Sequence, residues 1–289
     1  MTYHVIHTTT YRYEAPVAQS ISEVRLRPRP TERQRVIESR IEVEPAFAKC
    51  EGRTDYFGNE ATTIAVSGMH DLFAVTATSV VETGLVRPEE LPVTRWESVR
   101  DRLATPYDPD SLAASEFHFE SPYVPAIRAV AEFARATFTP DRPIGEAVRE
   151  LNHRVNQEFL YKPASTSIEI PLQEIMDKRH GVCQDFAHVM IGALRSVGLA
   201  ARYVSGYLQS GADVLGAEAS HAWVAVWIPG AGWVDFDPTN NVMPNDGHVI
   251  LGWGRDYGDV TPVKGLALGG GGQTVGVEVH VAPVEVAAT

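Results

Sequence analysis

Over residues 3–83 the chain alternates β-branched or aromatic residues with polar ones, in HVIHTTTYRYEAPV, SEVRLRPRP, RVIESRIEVEP, DYFGNEATTIAV and DLFAVTATSVV. Proline, glycine and asparagine break the pattern at intervals of roughly ten residues, which predicts an all-β sandwich or partial barrel. Residues 84–122 are charged and carry several prolines, and read as a connection. The period then becomes helical in PAIRAVAEFARATF (125–138) and PIGEAVRELNHRVNQEF (143–159), each with a proline near its start, where a missing N–H costs nothing. A third helix is predicted in HGVCQDFAHVMIGALRSVG. It is apolar nearly all round, so it belongs in the centre of a unit, and Gly198 closes it. Three strands follow: ARYVSGYLQ, then after the polar loop SGADVLGAEAS the pair HAWVAVWI and WVDFDPT, joined by a tight PGAG. The resulting class is α+β. A β-rich domain is expected over 1–88, a connection over 89–122, a mixed core over 123–260 and a C-terminal β extension over 261–289.

Composition narrows the partners. With 37 acidic and 25 basic residues the net charge is −12, a sign that repels nucleic acid and anionic membrane surfaces. No window reaches the roughly 18 apolar residues of a membrane span, and MTYHVIHTTTYRYE has no basic region followed by an apolar core. A cytoplasmic protein with a peptide or protein substrate is expected, without nucleic acid or membrane partners. The glycine run at 269–272 lacks a following Gly-Lys-Ser/Thr, so it reads as a turn and not a phosphate loop.

The chemistry centres on one of only two cysteines. Cys183 stands at the predicted start of the buried helix, where free backbone N–H groups and the helix dipole favour a thiolate and would also face an oxyanion formed by its attack. In the strand pair, alternation puts His221, Trp223, Ala225 and Trp227 on one face, with Ala231, Trp233, Asp235 and Asp237 on the matching face. An odd-length loop centred on Pro229 sets His221 opposite Asp237; a loop confined to residues 229–232 sets it opposite Asn240. A carboxylate beside an imidazole fixes its tautomer, and that imidazole beside a helix-start cysteine makes an acyl-transfer triad.

GVCQDFAH, RYVSGY, HAW and W-x-x-x-DPT together resemble the transglutaminase-like superfamily. The resemblance implies a papain-like core with Cys183 as nucleophile, His221 as base and Asp237 as orienting carboxylate; Asp235 fits the family spacing less well. YRYEAPV, EVRLRPR and DYFGN resemble the β-rich N-terminal domain of bacterial members, and GRDYGDVTPVKG their C-terminal segment. By the same resemblance Tyr161 is the candidate oxyanion donor, from the segment ahead of the nucleophile helix. Trp223, on the His221 face, is expected to line an aromatic cleft. Asp185, His188 and Cys50 read as structural, and Arg255 and Asp256 as cleft residues or an internal ion pair. Because nucleophile, base and oxyanion donors all come from the chain, no cofactor and no metal is expected; an acidic metal site in DFDPTNN with Asp246 is the competing idea, and a non-catalytic peptide-binding module another. The implied reaction forms a thioester from a peptide or glutamine-type amide, which water or an amine then resolves.

Overall fold

The computed structural model describes residues 1–84, 91–163, 170–209, 214–216 and 219–284. The expected boundary at residue 88, the first two residues of the expected connection, most of the polar loop after residue 209 and the last five residues of the expected C-terminal extension lie outside them. In chain order the elements are β1 (Thr2–Val24), β2 (Gln34–Glu44), β3 (Lys49–Thr54), β4 (Glu60–Thr83), α1 (Trp96–Ala104), α2 (Pro109–Ser115), α3 (Arg128–Arg135), α4 (Ile144–Glu158), β5 (Leu160–Tyr161), α5 (Leu172–Lys178), β6 (His180–Gly181) and α6 (Cys183–Ser196). They continue with β7 (Ala201–Leu208), β8 (His221–Ile228), β9 (Gly232–Phe236), β10 (His248–Gly254), β11 (Val263–Gly269) and β12 (Gln273–Pro283).

The period-two region forms one antiparallel sheet built on two long strands. β1 and β4 pair from Thr2↔Glu82 to Val24↔Thr62, with β12 and β11 outside β1 and β2 and β3 outside β4. Register slips between Arg12 and Val17, and between Val17 and Gln19, interrupt the ladder and let it bend. Val24, Leu26, Ile64 and Val66 from one half consequently share a core with Phe73, Val75 and Ala77 from the other, the sandwich-like packing that the alternation predicts. The glycines at 269–271 take positive φ in the β11–β12 turn.

The second sheet runs β10-β7-β8-β9, all antiparallel. α6 packs on β7 and β8, with α3, α4 and α5 around its other sides. Phe186, Ala187, Val189, Met190, Ile191, Ala193 and Leu194 bury against Ala201, Tyr203, Ala222, Val224 and Val226, so the all-round apolar helix is central as expected. The stretch read as a connection is not a bare linker. It contains α1 and α2, whose Val99, Leu103 and Ala114 join this core, and α2 starts with Asp108 accepting from the Ser111 N–H at 2.9 Å and proline at the first helical position. Short helices between prolines have too few periods to stand out from the sequence. Among the described residues no helix is long and apolar enough to cross a membrane.

The two sheets meet over Tyr3, Val5, Val81 and Val281 on one side and Tyr207, Val249 and Leu251 on the other. Two amides from the first unit complete the outer edge of β10. Gln34 donates to the Ile250 carbonyl and accepts from its N–H, both at 2.7 Å. Asn59 does the same at Trp253, at 2.8 and 3.0 Å. Each side chain substitutes for a neighbouring strand and removes an edge that would otherwise hold unpaired groups. Gln34→Leu takes the partner from the Ile250 N–H and leaves the Ile250 carbonyl with only the Arg29 N–H at 3.2 Å, and it is expected to lower unfolding free energy by about 1–3 kcal/mol in denaturant titrations. A change within about 0.5 kcal/mol, the size of an ordinary surface substitution, would show that the clamp is not holding the edge.

Candidate active site

Cys183 opens α6 after extended Val182, and its position is fixed locally. The Asp185 carboxylate in the first turn accepts from the Val182 N–H at 2.8 Å. A Cβ on Gly181 would meet that carboxylate at 2.5 Å, so the residue two before the cysteine has to be glycine. β5 runs parallel to β6 with Tyr161 beside Gly181, which brings Tyr161 to the wall of the cleft next to the thiol. Asp185 thus holds the helix start, the structural role expected of it.

His221 is the first residue of β8 and is buried, as is Asp237. The two side chains meet: His221 Nε2–H donates to Asp237 Oδ2 at 2.9 Å. The register is not either of those expected. Trp227 pairs with Trp233 and Ile228 with Gly232, a three-residue loop centred on Gly230, so the register carried on past the end of β9 puts Asp237 across from Trp223. The faces are nevertheless as expected, because both loops are odd, and the contact to His221 runs diagonally. Asp237 leaves the ladder to bridge Val242, and its Oδ1 accepts from the N–H groups of Thr239 and Asn240 at 2.9 and 3.2 Å. Oδ2 also accepts from Asn240 Nδ2 at 2.9 Å and His248 Nε2 at 3.3 Å.

The other ring nitrogen, His221 Nδ1, is buried with no partner at hydrogen-bond geometry, and the Cys183 thiol is close enough to interact with the ring. Gly216 closes over it: φ there is +84°, and a Cβ would come within 2.7 Å of Nδ1. Burial works to lower the pKa of His221, but the charge and hydrogen bond of Asp237, with a smaller effect from Cys183, hold it well above the ordinary imidazole range. Burial likewise works to raise Asp237, and His221 and His248 hold it below the usual carboxylate range. The cleft in front of the thiol measures about 450 Å³. Tyr161, Tyr203 and Tyr257 supply its aromatic wall, and Val214 and Leu215 line it as well.

Trp223 is not part of that wall. It is fully buried, stacks behind His221 at 6.1 Å, and packs with Val204 and Ala225 on the sheet face away from α6. Only the first residue of that face, His221, lies at the strand end where a side chain reaches the cleft. Trp227 and Trp233 are likewise taken up elsewhere, under Arg102 and against Phe117. Tyr203 and Tyr257 instead join Tyr161 in the aromatic wall; their stretches, RYVSGY and GRDYGDVTPVKG, carry the resemblance, but nothing in them marks either tyrosine as a cleft residue, since Tyr203 faces α6 on β7 and Tyr257 arrives from a short turn beyond β10.

The acidic run DFDPTNN separates. Asp235 turns to Arg33 at 3.1 Å, and burial raises its pKa against Arg33 and Arg202. Among the described residues no three His, Cys, Asp or Glu side chains converge as a metal site. His188 is a core residue whose Nε2 accepts from the Tyr257 N–H, with a pKa lowered by burial to about 3. Cys50 is exposed on β3. Arg255 pairs with Asp259 at 2.9 Å and not with Asp256, which accepts from the Tyr123 and Gly258 N–H groups.

Residues 3–82 match the bacterial transglutaminase-like N-terminal region, and residues 131–238 match the transglutaminase-like superfamily. An uncharacterized protein of Mycobacterium tuberculosis is 36% identical over 98% of this chain and 93% of its own length. One from Mycobacterium leprae is 33% identical over 96% and 97%. A protein-glutamine gamma-glutamyltransferase of Pseudomonas aeruginosa is 33% identical over 42% of this chain and 19% of its own. The fold matches the crystal structure of "a Putative Cysteine Protease from Cytophaga hutchinsonii", with a TM-score of 0.79 and 21% identity over 100% of this chain and 92% of that one.

His221 titrates above its unfolded value of about 6.5, so its pairing stabilises the fold fully below that pH and is lost as pH rises through the folded value. Asp237 contributes above its unfolded value of about 3.9 and loses its contribution as pH falls through its lower folded value. Asp237→Asn leaves burial as the main influence on the ring. In an NMR titration the His221 imidazole of this variant is expected to lose its proton below its ordinary value of about 6.5, whereas the wild-type ring keeps it through neutrality. Equal titration curves would disprove the coupling.

Proposed function

The chain belongs to the transglutaminase-like superfamily, and from that premise we propose that it is a cysteine-dependent acyl-transfer enzyme acting on peptide or glutamine-type amides. The observation that carries the reading is the buried His221 with Nε2 on Asp237 and Nδ1 left over beside the Cys183 thiol, at the edge of a cleft. Cys183, His221 and Asp237 act as nucleophile, base and orienting carboxylate. The thiolate attacks the amide carbonyl, and the oxyanion forms at the N-terminus of α6, with the Tyr161 hydroxyl as a second donor. His221 passes its proton to the leaving amine, or to ammonia where the amide is a glutamine side chain, and a thioester remains on Cys183. His221 then takes a proton from the incoming water or amine, whose oxygen or nitrogen attacks the thioester carbonyl; the C–S bond breaks and Cys183 leaves as the thiolate beside protonated His221, as at the start.

Hydrolysis is the favoured second step, giving a peptidase or amidase. Two free thiols, one of them exposed, suit a reducing cytoplasm, where water is abundant and amines are mostly protonated. The name of the Pseudomonas aeruginosa relative favours the alternative, transfer to an amine at glutamine. The substrate is a polypeptide, since the tyrosine and aliphatic walls suit an extended amide chain.

Incubating a peptide library with the protein, with and without a primary amine, separates these outcomes by mass. Backbone cleavage or deamidation, abolished in a folded Cys183→Ala variant, is expected; amine adducts at glutamine without either would make it a transglutaminase. Limited iodoacetamide at neutral pH is expected to label half-buried Cys183 ahead of exposed Cys50, because activation outweighs access. Faster labelling of Cys50 would remove the case for an activated thiol.

A further inference from the structure

Asp237 carries a second imidazole. His248, at the start of β10, directs Nε2 at the same Oδ2 that His221 uses, at 3.3 Å, and its side chain is only 8% exposed. Its proton is placed by the loop before it. In the neutral ring Nδ1 accepts from the Asn245 N–H at 3.3 Å; in the charged ring it can donate to Asn245 Oδ1 at 3.4 Å. In both forms Nε2 carries a proton aimed at Asp237. The ring also meets the edge of Trp223, which stacks on His221, so two imidazoles, an indole and a carboxylate form one packed group.

The N-terminal unit holds this arrangement from behind. Arg33 donates to the Pro244 carbonyl at 2.9 Å and pairs with Asp235, and Thr83 donates to the Asp246 carbonyl at 2.6 Å, which together fix the loop ahead of His248. Two residues beyond it, Gln34 clamps Ile250. We infer that His248 is a positioning residue for the Asp237–His221 pair, and that the N-terminal β unit acts on the site through it. Its bearing on catalysis rests on the proposed Cys183–His221–Asp237 chemistry; the hydrogen-bonded arrangement does not. Three donors on one oxygen leave the carboxylate a single orientation, and His221 takes its own from that oxygen.

The test uses the full chain with His248→Leu, which removes the donor, and His248→Gln, whose amide N–H can stand where Nε2–H stands. The low-field proton resonance of His221 Nε2–H reports the bond to Asp237, and iodoacetamide reports Cys183. The leucine variant is expected to shift or broaden that resonance and to slow Cys183 alkylation on the order of tenfold, the scale of one hydrogen bond to a charged acceptor. The glutamine variant is expected to restore both. If the leucine variant does not fold, His248→Asn, too short to reach Asp237, replaces it. A resonance unchanged by loss of the donor, or a glutamine variant no better than leucine, overturns the inference. A wild-type Cys183 that does not alkylate overturns the proposed chemistry instead, and the His221 resonance still decides the role of His248.

Discussion

The bond between His221 and Asp237 is the constraint to which the rest of the site answers. A fully buried carboxylate is costly unless its lone pairs are filled, and here Thr239 and Asn240 N–H groups fill one oxygen while His221, His248 and the Asn240 amide fill the other. That set decides which His221 nitrogen is occupied and leaves Nδ1 for the thiol. The same Asn240 amide reaches the cleft, accepting from the Leu215 N–H at 3.0 Å, so the turn that satisfies the carboxylate also holds the loop over the histidine. Removing the Asn240 side chain takes a donor from Asp237 and a partner from Leu215 at once.

The separation of roles between the units follows from sheet edges. β9 and β10 are the outer strands of the core sheet, and β10 is covered by the first unit through side-chain amides instead of a further strand. The chain returns after β10 to lay β11 and β12 along β1. The first sheet is thereby built from both ends of the chain, and the core is anchored to it on either side of its own sequence.

Much of this was legible beforehand, for reasons that differ by element. Alternation over β1 and β4 is strong because one face of each is buried, and α6 stands out because it is buried all round. Cys183, His221 and Asp237 could be put together because parity along two strands survives an error of register. Trp223 misled because a shared face is not a shared environment: two residues beyond the strand end the same face is covered by the neighbouring unit. α1 and α2 were hidden by their length, and Tyr203, Tyr257 and His248 by their origin on elements whose approach to the site only the tertiary fold decides. Asn240 was visible only as a partner in a discarded register, yet its turn does most to satisfy Asp237.

The proposed reaction requires that Cys183 become acylated with help from His221. Mixing the protein with an activated ester such as p-nitrophenyl acetate, quenching with acid and mapping peptides by mass spectrometry observes this step without knowledge of the natural substrate. An acyl group on Cys183 that hydroxylamine removes, and that is missing from a folded His221→Ala variant, is the expected result. Acylation that is confined to Cys50, or that persists on Cys183 at the same rate without His221, would contradict it.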